Sequence, residues 1–381
     1  MARSFRNRQP KAKIAPLPHD RWVAVAHPGL EPVVANEIAS YGISSHLEPG
    51  AVVFHADIAD ASSLARRVRT ASRLLWIVGI GPAKSLEQLA QTVRACDWTP
   101  VLARGMTCEV HVSTRESRLR RREAISKKVT HALQDVIRQI PASTKSRQFA
   151  TQRVHVRLVG DQVTLSVDAG GEPLHRRGWR KSVGDAPLRE NLAACMLFAA
   201  GWTGDEPLLD PFCGSGTLPI EATLLASGVN PGAHRRYTCD QWPASDGKIH
   251  TPIRNAISVP IIGADRDPNA LEAAKQNAQR AKVEVLWRCT EVQHLEAPNG
   301  PPGLIVTNPP YGKRLGNRSE DSVHDLYDQF AITLQERFKG WRVSFLAPHR
   351  SLAARLHPQV QQLTSFSNGG LRVGLWIIDL V

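Results

Sequence analysis

A chain of 381 residues is about two and a half times the usual length of one domain, so two or three compact units with full apolar cores are expected. Hydrophobic residues make up 42% and charged residues 22%, with 27 Gly and 26 Pro, which excludes collagen-like, coiled-coil and fully disordered chains. Forty-eight Lys and Arg against 35 Asp and Glu leave a formal charge of +13, which points to a polyanionic partner, nucleic acid first and an anionic membrane surface second.

Residues 1–19 carry Arg3, Arg6, Arg8, Lys11 and Lys13 without an acid, and are read as a basic disordered tail, either solubilising or a loose phosphate-binding arm. The spacing then predicts a strand at 22–26, a helix at 30–41, strands at 51–54 and 73–78 with a helix between them, and a helix at 86–96. A strand at 107–112, a long basic helix at 120–140 and a hairpin closed around Gly160-Asp161 complete a small α+β region. Its densest positive cluster is Arg115, Arg118, Arg120, Arg121, Arg122, Lys127 and Lys128, placed largely on one helix. Against only Glu116 and Glu123, that density exceeds what a solvated face needs and suits a phosphate backbone.

After about residue 171 strands and helices alternate. Helices are predicted at 188–200, 216–227 and 268–282, and strands at 207–210, 259–265, 283–287, 303–307 and 341–346. This order builds an α/β doubly wound, mostly parallel sheet, whose ligand lies at the carboxyl ends of the strands. A last strand at 371–380 follows the Asn368-Gly369-Gly370 turn and is expected to be antiparallel. The segment 228–258 reads as an insertion in which Arg235, Arg236, Tyr237, Trp242 and Lys248 interleave cations with aromatics. That composition suits unstacked bases, or else a packed lid.

The six cysteines form no CxxC pair and have no His at ligand spacing, so neither a disulfide framework nor a metal site is expected. No apolar run reaches the roughly 18–20 residues of a membrane span. A cytoplasmic protein without a membrane partner, monomeric by default, is the expectation.

Three turns carry the chemistry. Asp210-Pro211-Phe212-Cys213-Gly214-Ser215-Gly216-Thr217 joins a buried strand to a helix, where Gly214 and Gly216 let the backbone turn sharply and approach a ligand. The loop lacks the Lys-Ser/Thr of a phosphate-binding loop, and Asp210 favours a cationic ligand; a mere tight turn is the plain alternative. Asp265 ends the next strand, where a carboxylate accepts from both hydroxyls of a ribose, while Asp267 before Pro268 caps a helix. Glu291 is a candidate for an adenine edge. Asn308-Pro309-Pro310-Tyr311 follows an apolar strand. Its two prolines lack N–H donors, so the Asn308 side-chain oxygen and the Pro309 carbonyl are both available to one exocyclic amine, with Tyr311 stacked on the ring that bears it.

These turns, in this order, resemble the motifs of S-adenosylmethionine-dependent amino-methyltransferases. Gly171-Glu-Pro-Leu-His-Arg-Arg-Gly-Trp-Arg180, Ala186-Pro-Leu-Arg-Glu-Asn-Leu-Ala193 and Asn308-Pro-Pro-Tyr-Gly-Lys-Arg314 further resemble the THUMP-containing RNA guanine-N2 methyltransferases, most nearly the large-subunit rRNA L type. The resemblance implies a Rossmann-like class I methyltransferase domain at 171–381, preceded by a ferredoxin-like portion at 20–80 and a THUMP RNA-binding domain at 81–170. It implies S-adenosyl-L-methionine as cofactor and guanosine N2 in RNA as acceptor, rRNA before tRNA. Asp210, Pro211, Phe212, Cys213, Gly214, Gly216, Asp265, Glu291 and Asn308 fall on its cofactor motifs, and Asn308, Pro309, Pro310 and Tyr311 on its catalytic turn. Lys313 and Arg314 are placed to meet RNA phosphates. Two positions depart from the pattern: Trp179 stands for Tyr, and Glu291 for the commoner Asp. DNA adenine N6 as acceptor, or a noncatalytic RNA-binding assembly factor, are the alternatives.

Overall fold

In the computed structural model, residues 20–141, 151–181, 188–233, 235–245, 256–311 and 320–381 are described. The first half contains β1 (Arg21–Val25), α1 (Glu31–Ser40), β2 (Ser45–Glu48), β3 (Ala51–His55), α2 (Ile58–Arg67), β4 (Arg73–Pro82), α3 (Leu86–Ala95), β5 (Cys108–Arg115), α4 (Arg122–Gln139), β6 (Gln152–Val159) and β7 (Gln162–Asp168). The second contains α5 (Glu190–Ala199), β8 (Leu208–Asp210), α6 (Thr217–Ala226), β9 (Ile261–Asp265), α7 (Pro268–Ala281), β10 (Leu286–Cys289), β11 (Leu304–Thr307), α8 (Glu320–Arg337), β12 (Arg342–Ala347), α9 (Arg350–Ala353), β13 (Gln361–Asn368) and β14 (Leu371–Asp379). They form a larger unit of Trp22–Leu75, Ala169–Asp240 and Asp246–Val381, and a smaller one built on Trp76–Asp168 and Gln241–Ser245.

In the smaller unit the strand order is β4-β7-β6-β5, with β5 parallel to β6 and β6 antiparallel to β7. The β6–β7 pairing runs to Val159 opposite Gln162, leaving the two-residue turn Gly160-Asp161 that the sequence predicts. α3 starts at Ser85, whose hydroxyl accepts from Gln88 N, and buries Leu89, Ala90 and Val93; α4 buries Ile125, Val129 and Leu133 at helical spacing. α4 begins only at Arg122, because Glu116 takes a left-handed φ of 52° and buried Ser117 is tied to Asp161. Arg115, Arg118, Arg120 and Arg121 therefore lie before the helix rather than on it.

The larger unit has its main sheet in the order β10-β9-β8-β11-β12-β14-β13. From β10 to β12 the strands are parallel; β14 is antiparallel to β12 and to β13, as the turn at Asn368 to Gly370 suggests. β8 and β11 are buried along their whole length, as expected of parallel strands covered on both faces. The chain winds outward from β8 to β10 and returns to β11 beside β8, so the order of winding reverses between β8 and β11.

Three strands differ from expectation. β10 starts at Leu286 rather than Val283, because Lys282 adopts a left-handed φ of 56° and Val283 N donates to Ala278 O, closing α7; the Val283 side chain packs on that helix end. β2 and β13 escape the apolar pattern because they are polar edge strands; in β2 the one large apolar residue, Leu47, is 53% exposed. The N-terminal β1–β3 segment shares the larger unit's interior through a polar network. Buried Glu37 accepts from Arg69 N and Thr70 N, Arg69 Nη2 donates to Leu224 O at 3.0 Å, and Arg177 Nη2 donates to Arg69 O at 2.6 Å. Arg177 is itself buried against Glu221, so the guanidinium is paired as burial requires.

Candidate active site

At the reversal, the carboxyl ends of four parallel strands meet: β8 ends in Asp210, β9 in Asp265, β10 just before Thr290-Glu291, and β11 just before Asn308. A cavity of about 590 Å³ opens there, within the range of small-molecule sites. Asp210, Pro211, Phe212, Cys213, Gly214, Asp265, Glu291 and the four residues Asn308 to Tyr311 all line it.

Gly216 is the exception. It caps α6 at φ 83°, and a Cβ there would stand 2.8 Å from the Trp287 ring and 3.0 Å from Ala274, so this glycine serves helix packing. Gly214, at φ 51°, has open space where a Cβ would stand and leaves its backbone exposed to the cavity. The loop between them is held by hydrogen bonds. Gly214 N donates to Asp265 Oδ2 at 2.9 Å, Cys213 N to Ala264 O at 2.9 Å, and Asp267 N to Asp265 Oδ1 at 3.0 Å. Asp267 also caps α7 ahead of Pro268, so the capping role holds alongside the proximity of Asp265 to the cavity.

Asp210 is 2% exposed, and its Oδ1 accepts from Thr307 Oγ1 at 2.6 Å and from Phe212 N at 3.2 Å. Burial, helped by the nearby Asp265 charge, pushes its carboxyl up to about 7 against those hydrogen bonds. A cation in the cavity would favour its ionised form. Cys213 is buried and its thiol is pushed well above the usual range, which leaves it no thiolate for nucleophilic work. Glu291 is exposed at the rim, where Oε2 accepts from Gln293 Nε2 at 2.8 Å.

In the turn after β11 the Asn308 side-chain oxygen is buried and has no hydrogen-bond partner among the described residues. Leaving such an atom unpaired costs on the order of 1–3 kcal/mol, and a ligand donor would satisfy it. Tyr311 is 4% exposed, its hydroxyl receiving Asn368 Nδ2 at 2.9 Å. Thr307 and Asn368 were invisible to sequence reasoning: one is a strand residue, the other a turn residue brought across the sheet by β13.

In the smaller unit the predicted cations differ in their freedom. Arg118 Nε lies 3.2 Å from Asp161 Oδ2 and Lys128 Nζ 2.5 Å from Glu87 Oε1, so both charges have local partners. Arg121, Arg122 and Lys127 are exposed and make no ion pair among the described residues, and Arg120 bonds only the Ser117 carbonyl. Lys313, Arg314, Lys248 and the tail 1–19 lie outside the described residues. The reading of 228–258 as a base-stacking surface fails at its aromatics. Tyr237 is 5% exposed between Arg66 and Arg235, and Trp242 is fully buried with Nε1 donating to Gln152 Oε1 at 2.7 Å. Trp179 is likewise a core residue, against Ile220, Leu224 and Ala278. Among the described residues no helix is long and apolar enough to cross a membrane, and no group of His, Cys, Asp and Glu is arranged to hold a metal ion.

Residues 177–373 match the RMKL-like methyltransferase domain, and residues 21–75 match the RlmL ferredoxin-like domain. Among curated relatives, the "Ribosomal RNA large subunit methyltransferase K/L" of Methylococcus capsulatus (strain ATCC 33009 / NCIMB 11132 / Bath) is 33% identical over 96% of this chain and 52% of its own. The chain spans about half the length of such K/L relatives. A Synechocystis sp. (strain ATCC 27184 / PCC 6803 / Kazusa) protein, slr0064, provisionally named an RNA methyltransferase, is 30% identical over 92% of this chain and 94% of its own. The crystal structure of SMU.472 complexed with SAH superposes with a TM-score of 0.83 at 27% identity, covering 95% of this chain and 98% of that one. With its cavity at the β8–β11 reversal and its ferredoxin-like segment ahead of it, the chain belongs to the RMKL-like methyltransferase family.

Proposed function

We propose that the chain transfers a methyl group from S-adenosyl-L-methionine to the exocyclic N2 amine of a guanosine in RNA, with large-subunit rRNA as the substrate. The observation that carries this reading is the buried Asn308 oxygen, without a partner among the described residues, beside two residues that lack N–H donors. The cavity suits the cofactor: open space at Gly214 admits a ligand against the backbone, Asp265 at the tip of β9 would accept from ribose hydroxyls, and Asp210 favours a positive charge. Bound there, S-adenosyl-L-methionine supplies an electrophilic methyl group.

The chain's own part is orientation. An aromatic amine is a poor nucleophile because its lone pair is delocalised into the ring. Asn308 Oδ1 and the Pro309 carbonyl accept its two hydrogens and favour the pyramidal form, whose lone pair points at the methyl. Tyr311, steadied by Asn368, stacks on the base. The nitrogen would take the methyl directly, the carbon–sulfur bond breaking to leave S-adenosylhomocysteine, without a covalent enzyme intermediate, and would then shed one proton to water. A stacked guanosine must be flipped out first, at a cost of a few kcal/mol.

In the same reading residues 81–170 act as the THUMP domain that holds structured RNA. Arg121 and Arg122 stand at the N-terminus of α4, where the helix dipole is already positive, so their charge is presented to an anion rather than neutralised. The reaction is placed in the cytoplasm, where ribosomal RNA is met.

The test is incubation with labelled S-adenosyl-L-methionine and total RNA from cells lacking the protein, followed by size separation and nucleoside identification. N2-methylguanosine in large-subunit rRNA is expected. Label confined to tRNA changes the substrate, methyladenine sinks the acceptor assignment, and cofactor binding without any label leaves an assembly factor.

A further inference from the structure

A second cavity, of about 620 Å³, lies wholly in the larger unit and is lined by six arginines, Arg176, Arg177, Arg180, Arg189, Arg235 and Arg236. Three of them are matched by carboxylates: Arg177 by Glu221, Arg176 by Glu172 at 2.7 Å, and Arg180 by Glu190 at 3.2 Å. Arg235 bonds the carbonyls of Gly170, Glu172 and Pro173. Arg189 and Arg236 are exposed, and neither makes a hydrogen bond or ion pair among the described residues. Arg189 is also the first residue of α5's cap and makes no side-chain cap bond, so the positive end of that helix borders the cavity.

His175 registers this field. Burial and then the guanidiniums of Arg189, Arg177, Arg176 and Arg180 push its pKa down to about 4, leaving a neutral imidazole whose buried Nδ1 has no partner among the described residues. The two cavities share a wall. Arg180, which lines the second, donates to Leu188 O at 2.7 Å and to Thr217 Oγ1 at 2.5 Å, and both Leu188 and Thr217 line the first.

We infer that this second cavity holds a backbone phosphate of the RNA next to the target nucleotide, gripped by Arg189 and Arg236 with His175 Nδ1 as the hydrogen-bonding group. The inference rests on RNA as the substrate. Guanidinium forks match phosphate oxygens, and a site with two cations left unpaired among the described residues, Arg189 and Arg236, beside the reaction cavity fixes where the strand enters. The base is thereby positioned by its own backbone.

The test uses the full chain carrying Arg189→Ala with Arg236→Ala, and separately Glu172→Gln, which removes an exposed pair of small energetic worth and adds net positive charge. Affinity for large-subunit rRNA purified from cells lacking the protein is measured over a salt series, alongside affinity for S-adenosylhomocysteine. The double variant is expected to bind RNA about tenfold more weakly, with the slope of log affinity against log salt reduced by about one. Its KM for RNA should rise more than kcat falls, its S-adenosylhomocysteine affinity should hold, and Glu172→Gln should tighten RNA binding. An unchanged slope in the double variant overturns the site, as does weaker binding without a change in slope. If the double variant does not fold, Glu172→Gln decides by the direction of its shift. Should the methylated product not be N2-methylguanosine while the slope still falls, the acceptor assignment fails and the phosphate site stands.

Discussion

The turn after β8 and the turn after β11 stand side by side at the carboxyl ends of two central strands and treat their polar groups in opposite ways. Around Asp210 the carboxylate, the Thr307 hydroxyl and the Phe212 N–H are joined to one another, and Asp265 ties the loop to the next strand. Around Asn308 the side-chain oxygen is buried and left open. On the proposed reading, the first turn cradles a cofactor and gains from being rigid before the ligand arrives, whereas the second reacts and must keep its acceptors free for the group it activates. The first is stabilised by its own hydrogen bonds; the second carries an unmet one, as functional sites often do.

Breaking the second turn should have the largest effect. Asn308→Ala is expected to lower the rate of the methyl-transfer step by about 10²–10³ in single-turnover assays while RNA affinity and melting temperature hold, since the lost oxygen has no partner among the described residues. A fall in stability with activity retained would reverse the contrast. Next comes the scaffold of the first turn. Gly216→Ala, which meets Trp287 and forbids the left-handed φ, should cost roughly 2–3 kcal/mol in denaturant unfolding. Gly214→Ala should cost only about 1 kcal/mol but weaken S-adenosylhomocysteine binding.

A smaller effect separates the two turns by pH. With the Asp210 carboxyl raised to about 7, cofactor affinity should fall by about tenfold per unit below that pH, as calorimetric titration would show. Thr307→Val removes a bond that lowers this pKa and should move the break upward; Asp210→Asn should abolish it. In the cofactor-free protein the sign is opposite to that of an ordinary paired carboxylate. The folded state binds the proton more tightly than the unfolded chain, so this group's contribution to stability falls as pH rises from about 4 to about 7. Smallest of all, Tyr311→Phe should cost about 1 kcal/mol by stranding the Asn368 amide, and leave most of the rate.

The turns were legible in the sequence because each is punctuated: apolar strand, then acid or amide, then Gly or Pro. Asp210, Asp265 and Asn308 needed only that local grammar. Thr307 and Asn368 did not announce themselves, because their partners arrive through sheet pairing across 97 and 57 residues. The aromatics Tyr237 and Trp242 misled for a related reason, since composition does not distinguish a ring that stacks on a base from one that fills a core. β10 was displaced by three residues because Val283 to Leu286 reads as a strand until Lys282 is seen to end α7 in a left-handed turn. The arginines of the second cavity come from three separate stretches, and only the fold collects them.

The network of Glu37, Arg69 and Thr70 also bears on how the chain is made. Arg69 finds its acceptor at Leu224, 155 residues later, with residues Trp76–Asp168 of the smaller unit synthesised in between. At bacterial to eukaryotic elongation speeds that interval is about 8–30 s. During it the N-terminal strands exist without the partners that bury Glu37 and Arg69. The second half is thus what completes the fold of the β1–β3 segment, and Glu37 and Arg69 are among the last residues to reach their native surroundings.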